Sequence, residues 1–211
     1  MFASDGMTTD DGGFEIADID MGAVVAGVRA QGAVSLPLVG DGTRLRLLEA
    51  ARRGAYRRAR ALIGAPGRSV RQDMDVCDDF PPDSVFRAFG RRFEAHLAAA
   101  LEGIAPYPFA TRLRLDDMML QHYDAGSTGI SPHRDHVSYV NLVCLFTLSG
   151  RARFGVCDDR AGHAPCTLDA APGTVVFLRA PGFLGGDARP FHFVGDVEVE
   201  RYSFGLRQKR R

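Results

Sequence analysis

From Thr111 to its end the chain is a series of short β-rich runs broken by Gly, Pro and Asp, and this punctuation limits the available folds more than any other feature. The runs cover residues 112–123, 137–148, 151–157, 165–168, 174–179, 190–194 and 198–207. Several short strands at this spacing predict a sandwich or barrel of the double-sheet jelly-roll kind. A sheet face must be buried against something, and the helix-forming segments before residue 111 are what the chain offers. The expected class is α+β, mainly β: a jelly roll with N-terminal helices packed on one sheet.

The 211-residue length suits a single domain with a real core. Residues 1–13 are polar and acidic, without the apolar stretch of a secretory signal, and read as a disordered leader. Residues 14–211 read as one domain, with a helix-and-strand elaboration over 14–110 and the jelly-roll core over 111–208. Residues 14–20 predict a strand, 21–31 a helix stopped by Gly32, and 33–39 an extended segment. Residues 41–63 predict a helix, because Leu45, Leu47, Leu48, Ala51, Ala55 and Leu62 recur at roughly helical spacing. Residues 64–79 predict one or two short strands near a pocket. Pro81 and Pro82 open a further helix reaching about Gly103, since proline in a first turn costs no hydrogen bond. Val85, Phe86, Phe89, Phe93, Leu97 and Leu101 form its apolar stripe, with His96 beside them in a structural role.

The 41–63 segment carries Arg44, Arg46, Arg52, Arg53, Arg57, Arg58 and Arg60. They form either a solvated face balanced by Asp73, Asp75, Asp78 and Asp79, or a phosphate-binding face for nucleic acid. Lys and Arg total 26 against 26 for Asp and Glu. That balance favours the solvated face and argues against a dominant attraction to nucleic acid or an anionic membrane. Cys77, Cys144, Cys157 and Cys166 show no CxxC pairing. They read as reduced thiols of a cytoplasmic protein and not as a zinc site. No apolar run approaches membrane-spanning length.

The stretch Ser131-Pro132-His133-Arg134-Asp135-His136 carries the candidate chemistry. On extended backbone, residues two apart share a face, so His133 and Asp135 can offer a nitrogen and an oxygen to one metal ion. His192, near the start of another run, supplies a third ligand; 192 − 133 = 59 residues is room enough for strands to return to the same end of a jelly roll. Two histidines and one carboxylate make the facial set of non-haem Fe(II) oxygenases, which leaves positions open for co-substrate and dioxygen. The terminal run Arg201-Tyr202-Ser203-Phe204-Gly205-Leu206-Arg207-Gln208 places Arg201, Ser203, Gly205 and Arg207 on one face. Two arginines facing a jelly-roll interior are costly unless they meet an anion, and the planar fork of Arg suits a carboxylate. A dicarboxylate such as 2-oxoglutarate fits: its keto-acid end on iron, its distal carboxylate on Arg201. Gln121 and Tyr123 share a strand face just upstream, where the Tyr123 hydroxyl can donate to the co-substrate.

These residues give the second half, from about Met118 to Gln208, a resemblance to the Fe(II)/2-oxoglutarate-dependent dioxygenase superfamily. They are His133-x-Asp135, His192, Arg201-x-Ser203 and Tyr123. The ending Arg-Tyr-Ser-Phe-Gly-Leu-Arg-Gln is similar to that of the AlkB-type repair branch. The resemblance implies a double-stranded β-helix and iron ligation by His133, Asp135 and His192. It also implies Arg201 on the distal carboxylate, Tyr123 and Ser203 assisting, and Arg207 at the keto-acid end. Two features depart from the repair branch. Gln121 stands where that branch has Asn, and Arg201 follows His192 by only nine positions, a spacing shared with small-molecule hydroxylases. The implied activity is oxidation of a C–H bond of a small molecule, with Fe(II), 2-oxoglutarate and O2, releasing succinate and CO2. The alternatives are AlkB-like demethylation of alkylated nucleobases, which the Arg-rich segment and the basic tail Lys209-Arg210-Arg211 keep open, and a non-enzymatic cupin-like binding module. His136 is expected off the metal. Arg134 and His136 border the mouth, the loops 124–131 and 181–189 flank it, and His163 is expected to be exposed.

Overall fold

The computed structural model describes residues 7–9 and 13–210. Most of the expected leader lies outside the described residues; Met7–Thr9 (β1) pairs antiparallel with Glu15–Ala17 (β2). Helix α1 (Met21–Gln31) begins at Asp20, whose carboxylate accepts from the Ala23 amide at 2.9 Å, and ends where Gly32 turns left-handed. β3 (Ala33–Pro37) follows. Helix α2 (Asp41–Arg52) is eleven residues shorter than its periodicity predicted, and Arg57–Arg58 (β4) and Leu62–Ile63 (β5) are strands instead. The Gly54 amide closes a turn onto Ala51, and glycine disfavours helix continuation by about 1 kcal/mol. Val70–Asp73 (β6) and Asp75–Cys77 (β7) are the two short strands expected before the next helix. β4 pairs with β7, so Arg57 meets Asp78, and Arg58 meets Asp73 and Asp75. Those arginines are balanced by acids, as the solvated reading required. Helix α3 (Val85–Leu101) starts after the two prolines, capped by the Ser84 hydroxyl, which accepts from the Arg87 amide. The prolines lie in the approach to the helix, outside its first turn.

The jelly-roll strands are β8 (Asp117–Tyr123), β9 (Gly129–His133), β10 (Tyr139–Cys157), β11 (Cys166–Leu168), β12 (Thr174–Arg179) and β13 (Phe191–Lys209). Runs expected as separate strands fuse: 137–148 with 151–157 into β10, and 190–194 with 198–207 into β13. The two long strands pair over their whole length through several bulges. At their middle Gly150 adopts φ +87°, and a Cβ there would stand 2.2 Å from the Glu200 carbonyl oxygen. Only glycine allows that approach.

The bend lets β10 and β13 serve two sheets. In one, the order is β3, β12, the first half of β10, the second half of β13, β8, β7 and β4. In the other, it is β11, the second half of β10, the first half of β13, β9, β6 and β5. Side chains alternate between two cores. Cys144, Phe146, Phe177 and Phe204 join Phe89, Phe93 and Leu97 of α3 and Val24, Val28 and Leu47 of α1 and α2 on the outer face. Val143, Leu145 and Val176 join Ile130, Phe154 and Val194 between the sheets. The helices therefore cover one sheet, as expected. The outer core is dense in edge-to-face phenyl pairs, such as Phe93–Phe146 at 4.8 Å and Phe89–Phe146 at 5.2 Å. Nε2 of His96 donates to the Ala17 backbone oxygen at 3.0 Å, which is the structural role anticipated.

Candidate active site

The inner core leaves a cavity of about 290 Å³ between the sheets. His133 is the last residue of β9, and His192 is the second of β13, directly across the ladder from it. Their rings lie 4.2 Å apart. Asp135 is not on the strand, as the two-residue periodicity had placed it; β9 ends at His133 and the carboxylate reaches the site from the segment beyond. Its oxygen Oδ2 is 4.0 Å from Nε2 of His192. One ligand atom from each of His133, Asp135 and His192 falls within 4.8 Å of the others, and they form the sole such cluster among the described residues. Nδ1 of His133 lies 3.0 Å from the Ser131 carbonyl. A carbonyl only accepts, so Nδ1 carries the proton and Nε2 keeps its lone pair for a metal. His136 lines the cavity but bonds Ser138 instead, and His163 is exposed and paired with Asp159.

The electrostatics suit a cation. Burial pushes both imidazoles below their ordinary range, and they stay neutral. Burial alone would raise Asp135, yet His192, Arg207, His133 and Arg189 together hold its carboxyl below the usual range. Arg189 also donates from Nη1 to the Asp135 backbone oxygen. The result is one anion and two neutral nitrogens presented together.

The arginines occupy two depths. Arg207 lines the cavity with the three ligands, its guanidinium 5.3 Å from the Tyr139 ring. Arg201 is one layer further in, behind Tyr123, with its Cζ 5.6 Å from that ring and Nη2 donating to Thr147 at 3.2 Å. Arg201 and Ser203 do not line the cavity, whereas Tyr123 and Gln121 do. Ser203 donates to Gln121 Oε1 at 3.3 Å across the ladder. Nε of Arg201, Nε and Nη1 of Arg207 and the Tyr123 hydroxyl are buried without a partner. An unmet buried donor costs about 1–3 kcal/mol. Burial, only partly opposed by Arg201 and Arg207, pushes the Tyr123 phenol up to about 12, so it remains a donor. Three of these unmet donors, Nε and Nη1 of Arg207 and the Tyr123 hydroxyl, belong to residues that line the cavity beside His133, Asp135 and His192, and they fit an oxygen-rich anion such as the co-substrate that the sequence implied.

Tyr139, Thr147, Met74, Gln72 and Arg189 were not foreseen as part of this region. Tyr139 reaches the site because β10 bulges between Val140 and Val143, and Asn141 there takes φ +65°. A lone Asn in the apolar run Val140-Asn141-Leu142-Val143 was the available signal, since Asn tolerates left-handed backbone.

No family model matches the sequence, and no curated protein matches it. Solved structures do. A prolyl hydroxylase from Trichoplax adhaerens, in complex with a hypoxia inducible factor oxygen degradation domain peptide fragment, superposes with TM-score 0.64 at 12% identity, covering 88% of this chain and 87% of that one. An oxidoreductase of the 2OG-Fe(II) oxygenase family from Burkholderia pseudomallei gives TM-score 0.60 at 17% identity, covering 100% and 96%. OsALKBH1 gives 0.59 at 14% identity, covering 84% and 98%. The fold is that of the 2OG-Fe(II) oxygenases. At these identities the likeness is one of fold, and it agrees with the resemblance carried by the sequence motifs.

Proposed function

We propose that the protein is an Fe(II)- and 2-oxoglutarate-dependent dioxygenase that oxidises, by hydroxylation, a C–H bond of a small molecule. The observation that carries this is the union in one cavity of the His133–Asp135–His192 cluster with unmet arginine and tyrosine donors. His133, Asp135 and His192 would hold the iron. Iron with 2-oxoglutarate and dioxygen supplies the oxidation of an unactivated C–H bond, with succinate and CO2 as by-products. The protein's own part is binding and orientation. Arg207 bears electrostatically on all three ligands and is placed for the keto-acid end; Arg201 bears on Tyr123 alone among those residues and is placed for the distal carboxylate. Tyr123, Ser203 and Gln121 complete that cradle. Met74, Met119, Ile130 and Leu145 keep water from the reacting carbon.

A small molecule is favoured over a nucleobase because Arg44, Arg53, Arg57 and Arg58 of the Arg-rich segment each face a carboxylate, which lessens the positive charge that segment offers to phosphates. Among the described residues no helix is long and apolar enough to cross a membrane.

The deciding experiment is an anaerobic titration with Fe(II) and 2-oxoglutarate, watching for the visible charge-transfer absorption of a keto acid chelated to iron. Wild type is expected to develop it, His133→Ala to lose it, and Arg201→Ala to need more 2-oxoglutarate. A wild-type protein that binds Fe(II) yet never develops the band would refute the assignment.

A further inference from the structure

A second cavity adjoins the first. It measures about 520 Å³ and is lined by Arg134, Arg179 and Arg189, with Asp158 and Asp187 the carboxylates on its wall. Arg134 belongs to both cavities and so marks where they meet. The three guanidiniums come from three separated places. Arg134 stands between ligands His133 and Asp135, Arg179 ends β12, and Arg189 lies in the loop before β13. Two are held by something other than charge pairing, and the third has a donor unmet. Arg134 rests with its Cζ 4.2 Å from the Phe191 ring, one residue before His192. Arg189 is tied to the Asp135 backbone oxygen. Arg179 has Nε buried without a partner. Among the described residues none of the three forms an ion pair, whereas Arg44, Arg53, Arg57, Arg58 and Arg151 all do. The wall carries these three guanidiniums beside two carboxylates, and Arg189 also bears on the Asp135 carboxylate, which leaves Arg134 and Arg179 as the cations without a charged partner among the described residues.

Resting on the oxygenase reading, we infer that the substrate carries a carboxylate, held by Arg134, Arg179 and Arg189, while its reacting carbon enters the metal cavity. Guanidiniums without a charged partner suit an anion, and the Arg fork suits a carboxylate. The anchor sits at the rim: Arg134 adjoins His133 and Asp135 in sequence and rests on Phe191, the neighbour of His192, and Arg189 bonds the Asp135 backbone. It can therefore fix the substrate's orientation without touching the co-substrate donors, which lie on the opposite sheet. Specificity then comes from the length between the carboxylate and the carbon presented to the metal.

The test uses the full chain loaded anaerobically with Fe(II) and 2-oxoglutarate. The probes are aliphatic, aromatic and N-acetylamino carboxylic acids, each paired with its neutral carboxamide. The first readout is the Arg Nε–H resonances in ¹⁵N-labelled protein; the second is succinate release in air. The acids are expected to shift the Arg179 and Arg134 resonances and to stimulate succinate release, and their amides to do neither. Arg179→Gln, and the surface variant Arg134→Gln, should each raise KM for an active acid about tenfold or more, the worth of one charge-assisted hydrogen bond. The inference is overturned if acid and amide behave alike, if no acid moves either resonance, or if both variants keep the wild-type KM. Failure of the oxygenase reading looks different: the charge-transfer band would be missing while the arginine resonances still respond to acids.

Discussion

Gly205→Ala separates the fold of β13 from the use of Arg207. Gly205 lies between Ser203 and Arg207 on the inward face, and the guanidinium of Arg207 folds back over it. A Cβ at this position would stand 2.9 Å from Nη1 and 3.1 Å from both Cζ and Nη2 of Arg207. These atoms end a flexible side chain, so the guanidinium swings aside and the backbone stays. The Gly205 backbone is not in the left-handed region, and alanine in a strand interior is more stable than glycine by about 0.5–1 kcal/mol. Stability is therefore expected to hold or rise slightly. Arg207 has Nε and Nη1 unmet, and loss of one charge-assisted bond to an anion is worth about 1.5–3 kcal/mol. At about 1.4 kcal/mol per decade, the Kd for 2-oxoglutarate should rise about 10- to 150-fold. The assay is the anaerobic charge-transfer titration beside a thermal melt, with Arg207→Ala as the reference. A Kd within about twofold of wild type in Gly205→Ala, where each decade is about 1.4 kcal/mol, would show that Arg207 does not hold the co-substrate.

Three further outcomes follow from the same geometry. Gly129→Ala places a Cβ 2.1 Å from the Val194 carbonyl oxygen at φ +76°, with only main chain to give way; strain of about 1–3 kcal/mol from the dihedral alone, plus the clash, should lower the urea midpoint and weaken Fe(II) binding, because β9 carries His133. Phe93→Ala empties the outer core where Phe93 meets Phe146 and Phe177 and should cost about 3–5 kcal/mol in a denaturant melt, while folded protein at low denaturant still binds Fe(II). Arg201→Lys keeps the charge but not the fork, so 2-oxoglutarate affinity should fall almost as far as in Arg201→Ala; a wild-type affinity in the lysine variant would show that charge alone suffices there.

The elements that were legible in the sequence are those whose local chemistry agrees with their environment. α1 carries its cap and its stop within its own residues, Asp20 and Gly32, and its bounds were read correctly. The stripe of Phe86, Phe89, Phe93, Leu97 and Leu101 was legible because one helix face meets one sheet. α2 was overextended because arginines and alanines favour helix wherever they stand, while pairing of Arg57 and Arg58 with β7 is a tertiary fact. The convergence of His133, Asp135 and His192 was legible from residue type, but the place of Asp135 beyond its strand was not, since the end of a ladder depends on the partner strand. Arg201 and Arg207 were correctly placed inward by alternation. Their different depths were not visible, because depth depends on Tyr123 and Tyr139 across the sheet.

The distance along β13 shows why a bent strand is needed at all. His192 and Arg207 are 207 − 192 = 15 residues apart on one continuous strand. At about 3.3 Å per residue, a straight strand would part them by roughly 50 Å. Both nevertheless line one cavity of about 290 Å³. The fold about Gly150 and its facing residues Glu200 and Arg201 turns the strand back, so its first half brings His192 and its second half Arg207 to the same cavity from the two sheets. Arg201 sits at the turn itself and closes the deep end. His192 and Arg207 thus stand on two walls of a single cavity, with Arg201 buried behind Tyr123 between them in sequence. A co-substrate that bridges metal and clamp touches both halves of β13 at once, so its binding should stiffen the bend as well as fill the cavity.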